Sequence, residues 1–129
     1  SEVNVTWGVI LRAKITSKSI PFFDKYFETY NEAPHACGST AYDAVYILAN
    51  AAERAKSTKT EDLIAALEDT DYLGASGRFV FDKKTHDAIF GSIEYCPLLV
   101  TQWQGGGKFE ILLPKEIATS EYQDPPWLK

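Results

Sequence analysis

Three helices in a row, with no strand between them, constrain this chain more than any other feature of its sequence. Ser19-Ile20-Pro21 opens the first, with Ser19 placed as N-cap and proline in the first turn. Phe22, Phe23, Tyr26, Phe27 and Tyr30 follow on one stripe at helical spacing, the pattern of core packing, and Asn31 and Pro34 end it. The second helix is expected from Thr40 to about Lys56, with Thr40 and Asp43 spaced as a capping box in which Asp replaces Glu. Ala41, Ala44, Val45, Leu48 and Ala52 form its inward stripe, and Tyr42 and Tyr46 an adjacent face. The third starts at Thr58-Lys59-Thr60-Glu61, turns Leu63, Ile64, Ala66 and Leu67 inward, and stops near Asp69. A self-contained α/β domain alternates strands with helices, because each helix needs a sheet face to cover. Here the apolar stripes have little sheet to cover, unless strands come from elsewhere.

Strand patterns sit towards the two ends of the chain. Val3, Val5, Trp7, Val9 and Leu11 alternate at period two and predict a strand over Val3–Leu11, followed by a polar connection to Lys18. His35 to Ser39 reads as a short loop of small residues. Gly74-Ala75-Ser76-Gly77 is a turn, Arg78–Phe81 a short strand, and Asp82-Lys83-Lys84 a polar turn after it. Ile93–Trp103 predicts a further strand, with Pro97 marking a bend or an edge. Gln104-Gly105-Gly106-Gly107 then turns the chain into Lys108–Leu113 as a hairpin, closed by Pro114. The tail from Ala118 to Lys129, with Pro125-Pro126-Trp127, reads as an extended surface segment. No internal repeat or low-complexity segment interrupts this order.

Composition excludes several classes. A chain of 129 residues with 45% hydrophobic content can bury a core, and a net charge of −5 lacks the basic patch of a nucleic-acid binder. No apolar run approaches the ~20 residues of a membrane-spanning helix. Arg12, Lys14 and Lys18 interrupt the early apolar stretch, so no signal peptide opens the sequence. It contains no methionine and begins at Ser1, which predicts a processed product or a piece of a longer one. Asn4-Val5-Thr6 fits a glycosylation triplet of a kind common by chance. Cys37 and Cys96, far apart, read as two small thiols; a bridge between them requires an oxidising compartment.

Enzyme chemistry finds no support. Cys37 with His35 or His86 lacks the context of an activated nucleophile, and no GxSxG occurs. Gly105–Gly107 precedes a strand rather than a helix, so it is no phosphate loop. Glu61, Asp62, Glu68, Asp69 and Asp71 lack the alternating oxygen ligands of a calcium loop, and His35 beside Cys37 completes no zinc spacing. The segment His35–Ser39 is the place of interest. It leads into a helix N-terminus, where free N–H groups and the positive dipole end favour a carboxylate. Ser39 and Thr40 offer hydroxyls and Tyr42 an aromatic wall, although capping by Thr40 explains part of the same pattern.

The segments then add up to a family resemblance. Ala41-Tyr42-Asp43-Ala44-Val45-Tyr46-Ile47-Leu48-Ala49 resembles a helix of the type I periplasmic solute-binding proteins that serve ABC importers. In the same order, Pro21–Tyr26 with Pro34, Glu61–Glu68, Gly74–Asp82 and Gln102–Lys108 with Pro114 resemble further segments of that family. Gln104-Gly105-Gly106-Gly107 departs from the tighter Asp-Gly turn usual there.

The resemblance covers only the last third of such a protein. It implies an α/β chain that forms the C-terminal part of a two-lobed fold, the missing strands lying upstream. Residues 1–92 would be a hinge strand and the helical part of the N-terminal lobe; 93–129 would be the return crossing, hairpin and tail. By the same resemblance Gly38 and Ser39, with Cys37 and Tyr42 next, border the interlobe cleft. The implied function is binding of a branched-chain or related amino acid for delivery to an ABC permease, with no catalytic residue, cofactor, metal or nucleic acid. The implied location is periplasmic or cell-surface. Taken alone, the piece is expected to pair with a second copy through its uncovered apolar face. The alternatives are a ligand-sensing domain of a receptor or regulator with the same fold, and a small stand-alone interaction domain.

Overall fold

A computed structural model describes residues 2–128; the predicted tail reaches Lys129, which with Ser1 lies outside the described residues. In chain order the elements are β1 (Val3–Thr6), α1 (Ser19–Tyr30), α2 (Ala36–Ala55), α3 (Thr60–Glu68), β2 (Asp71–Leu73), β3 (Arg78–Val80), β4 (Leu99–Gln104) and β5 (Lys108–Leu113). Short 3-10 turns follow at Lys115–Ile117 and Pro126–Leu128. One antiparallel sheet runs β1-β4-β5, and β2 pairs with β3 in a separate hairpin.

The β4–β5 hairpin forms as its sequence predicts. Gln104 faces Lys108 across the turn, and Gly106 and Gly107 take φ of +76° and +73°, a region that side chains disfavour. Leu99 and Ile111 pack with Ala13 into a small core, against which Ile10, Leu11, Ile15 and Ile117 lie. On the same sheet Gln102 and Gln104 are buried and bind the tail. Gln102 Nε2 donates to the Gln123 carbonyl (2.8 Å), and Gln104 Nε2 to the Glu121 carbonyl (2.8 Å). The Gln123 N–H donates back to Gln102 Oε1 at 3.0 Å.

Two strands of this sheet, β1 and β4, are shorter than their patterns suggest. β1 stops at Thr6, because Gly8 turns the chain at φ +76°. Val3, Val5 and Trp7 therefore lie on an exposed face, while Val9 is buried beyond the turn. β4 begins only at Leu99. Pro97 has no N–H for a ladder, and residues 91–96 close on themselves through Gly91 N–H to Cys96 O (2.8 Å). The strand β2 was not foreseen; it is three residues long and its pattern is hidden beside the Gly74–Gly77 turn.

The helices begin elsewhere than their cap signals indicate. Ser19 is the first residue of α1 and not its N-cap; its hydroxyl accepts from the Thr16 N–H (2.8 Å) and donates to the Ala75 carbonyl (2.7 Å). At the far end Asn31 takes the left-handed conformation, φ 55°, and its N–H bonds Phe27 O. The expected loop His35–Ser39 is instead the N-cap and first turn of α2, which starts at Ala36. Thr40 does not cap; its hydroxyl donates back to the Ala36 carbonyl at 3.1 Å.

Nor does Asp43 form a capping box. Its carboxylate is wholly buried and accepts the Ala75 N–H (2.7 Å) and Ser76 N–H (2.8 Å) of the β2–β3 turn. Gly74 is required there, since a Cβ would stand 2.6 Å from that carboxylate. The Thr16 hydroxyl holds the Gly74 carbonyl (2.6 Å), so the turn is tied to α2 and to the segment entering α1.

The buried face of α2 differs most from its sequence pattern. The buried positions are Ser39, Asp43, Ile47 and Ala51, one per turn. Ala41, Ala44, Val45 and Leu48 are exposed, Ala52 is half-buried, and on α3 Ile64 is exposed beside half-buried Leu63, Ala66 and Leu67. The apolar stripe exists, but the described residues supply no sheet beneath it.

Candidate ligand-binding site

The chain passes between its sheet and its helices along two segments, one after β1 and one before β4. The first is fastened to the start of α2. The Val9 N–H donates to Ser39 Oγ at 2.9 Å, and that hydroxyl donates on to the Ala36 carbonyl at 3.2 Å. Gly8 lies so close to this turn that a Cβ would sit 2.6 Å from Ser39 Oγ and 2.9 Å from Ala36 O. Backbone contact of that kind, with φ in the left-handed region, admits only glycine.

The four residues singled out by sequence all fall within the first two turns of α2, facing different ways. Ser39 is buried with its hydroxyl committed to the crossing segment. Cys37 is exposed and unpaired. Gly38 and Tyr42 line a groove of about 640 Å³ between α1 and α2. The Tyr42 ring packs on Phe22 (4.9 Å between centroids) and Tyr46 (4.8 Å). The neighbouring Tyr46 hydroxyl, and then burial, push the Tyr42 phenol up to about 12.

A second hollow, of about 410 Å³, lies where both crossing segments meet α2 and the β2–β3 hairpin. Trp7, Gly8, Thr40, Phe79, Pro97 and Leu98 are among its walls, which are almost wholly apolar. Cys96 stands at its edge, also unpaired, with burial the main cause pushing its thiol up to about 11. Trp7 and Phe79 were read from sequence only as strand residues. Trp7 falls just past the end of β1, whereas Phe79 is the middle residue of β3. His86 lies at Glu68 of α3, Nε2 to Oε1 3.0 Å. Among the described residues no cluster of three or more metal-ligating side chains occurs.

A sheet and a helical layer are thus joined through crossing segments, with an apolar hollow at the crossing. The chain belongs to the periplasmic binding protein family, which matches residues 13–108. Among solved structures it is similar to an ABC transporter substrate-binding protein from Desulfitobacterium hafniense, at 25% identity and a TM-score of 0.67 over 85% of this chain and 30% of that one. It is equally similar to the leucine-binding protein LivK from Thermotoga maritima, at 25% identity and a TM-score of 0.67 over 84% of this chain and 29% of that one. No curated sequence matches. The fold is thus that of the type I periplasmic binding proteins, and the chain spans about 30% of the length of these neighbours. The family and both neighbours are binding proteins, not enzymes.

Proposed function

We propose that this chain is the C-terminal part of a periplasmic protein that holds a branched-chain or related amino acid between two lobes and delivers it to an ABC permease. The family match over residues 13–108, with a leucine-binding protein among the structural neighbours, is the observation that carries this reading. In it, residues 1–92 supply a hinge strand and part of the first lobe, and 93–129 the return crossing and hairpin. Gly38, Ser39, Tyr42 and Cys37 border the cleft. Ser39 acts by fixing the Val9 crossing, and Cys37, Gly38 and Tyr42 present surface. Closing the lobes around the solute bends the crossing segments and breaks no covalent bond. The exposed stripe of α2 belongs against a sheet of the remaining two-thirds; without that sheet the piece associates with a second copy.

The test is a thermal-shift screen of the full-length polypeptide carrying this segment, with leucine, isoleucine, valine and phenylalanine. A ligand at about a hundred times its Kd stabilises the folded state by about 2.7 kcal/mol, a readily measured rise in Tm. Absence of any rise in a folded protein removes the reading. A Gly38→Trp variant should respond less than the parent; an unchanged response removes Gly38 from the cleft.

A further inference from the structure

Each crossing segment is held at both ends. On the sheet side Thr6 pairs with Leu99, so the two segments leave the sheet at the same rung. On the helical side the first is caught at Val9, whose N–H donates to Ser39 Oγ at 2.9 Å. The second is caught at Tyr95 and Cys96 by Arg78 of β3. The Arg78 N–H donates to the Tyr95 carbonyl (3.1 Å), and the Cys96 thiol donates to the Arg78 carbonyl (3.6 Å). The Arg78 guanidinium also lies 5.6 Å from the centre of the Tyr95 ring. Gly77 packs so closely here that a Cβ would stand 2.5 Å from the Tyr95 carbonyl oxygen and 2.7 Å from the Cys96 Cα.

Between the shared rung and these anchors stand Trp7 and Gly8 in the first segment, and Pro97 and Leu98 in the second. Among the described residues, no backbone hydrogen bond outside the sheet ladder involves any of the four. Short links between firmly held ends are where a hinge absorbs its change of angle. The first link also leans on α2, since Gly8 lies against Ser39 and Ala36. Ser39 is therefore the one side chain that joins that link to the turn holding Cys37 and Gly38, through its bonds to Val9 and to the Ala36 carbonyl.

We propose that the lobes close by rotation at Trp7–Gly8 and Pro97–Leu98. Ser39 is the positioning residue that passes a solute's contact with the first turn of α2 to the first link. This rests on the reading above, in which that turn borders the cleft and a solute is held between two lobes.

X-ray scattering by the full-length polypeptide tests it, without solute and with leucine, isoleucine, valine or phenylalanine at saturation. The parent should contract on binding. Ser39→Ala should contract less at the same saturation and release the solute about fivefold faster. Ile47→Val is the control, a buried change further along α2 that loses packing without touching either link. It should contract as the parent does. Trp7, Gly8 and Leu98 amide exchange should change with solute, while the Val9 and Arg78 amides stay protected.

Full contraction of Ser39→Ala in a protein whose parent binds and closes overturns the role of Ser39 and leaves the solute reading standing. Equal loss of contraction in Ile47→Val makes the effect one of general stability and overturns it as well. Faster exchange at Val9 or Arg78 on binding moves the hinge into the anchors and removes the links. A folded parent that neither contracts nor gains Tm with any of the four solutes removes the solute reading and this proposal with it.

Discussion

On one side of α2, Ser39 and Asp43 are wholly buried and hydrogen-bonded to Val9, Ala75 and Ser76. On the other, Val45 and Leu48 stand 68% and 50% exposed. The buried side joins these polar residues to Ile47 and Ala51, while an apolar stripe faces out. Burial of a polar side chain is tolerable when its hydrogen bonds are complete, and the two oxygens of Asp43 each have a backbone N–H. Under the proposed reading, the exposed apolar stripe finds its partner outside this segment. The polar face is thus built for contacts within this chain, and the apolar face for contacts beyond it.

The largest expected effect breaks the polar face. Asp43→Ala leaves two buried N–H donors without a partner, which costs about 3 kcal/mol in urea unfolding. Asp43→Asn keeps one acceptor and should cost about half as much. A loss below about 0.5 kcal/mol for Asp43→Ala would show that the β2–β3 turn does not depend on α2. Next comes the direct contrast. Ile47→Ala, on the buried side, should cost about 2–4 kcal/mol, whereas Leu48→Ala, one residue on, should stay within about 0.5 kcal/mol in the isolated chain. Equal losses at both positions would erase the distinction between the faces.

These same residues show what was legible in the sequence. Periodicity located three helices, because apolar spacing and the stop signals at Asn31 and Pro34 are local. The β4–β5 hairpin was legible for the same reason: the glycines satisfy a backbone need within a few residues. The facing of α2 was not. Hydrophobic patterning reports which side avoids water in the whole protein, and here that side is uncovered. Thr40 and Ser19 misled because hydroxyl side chains serve equally as caps or as tethers to distant carbonyls. Of the candidate site, the start of α2 is singled out by its helix N-terminus and small residues, and the family resemblance then names Gly38, Ser39, Cys37 and Tyr42. The Val9–Ser39 bond and the Trp7–Phe79 hollow were hidden, since both join residues at least thirty positions apart.

Ser39→Ala tests a smaller part of the polar face. It leaves the buried Val9 N–H without its acceptor, an expected loss of about 1–2 kcal/mol. If Ser39 fixes the crossing, Val9 amide exchange should quicken more than exchange in β4 or β5. Uniform acceleration would make the loss global and remove the local tether.

The smallest effect concerns neither face of α2 but the hairpin that Asp43 holds. Asp71 lies below the usual carboxylate range, chiefly through its hydrogen bond to Arg78 (2.7 Å), with a Coulombic contribution from the same guanidinium. Asp69 is lowered by Lys83, and Asp82 by the backbone N–H groups of Thr85 and Lys84. Each folded pKa is depressed, so the stabilisation is present above the unfolded value near 4 and is lost as pH falls through the folded one. All three groups are exposed, so the loss is small and salt-screened. Urea midpoints should therefore fall modestly from pH 5 to pH 3, and Asp71→Asn should flatten part of that fall. A variant as acid-sensitive as the parent would place the acid response elsewhere than the Asp71–Arg78 pair.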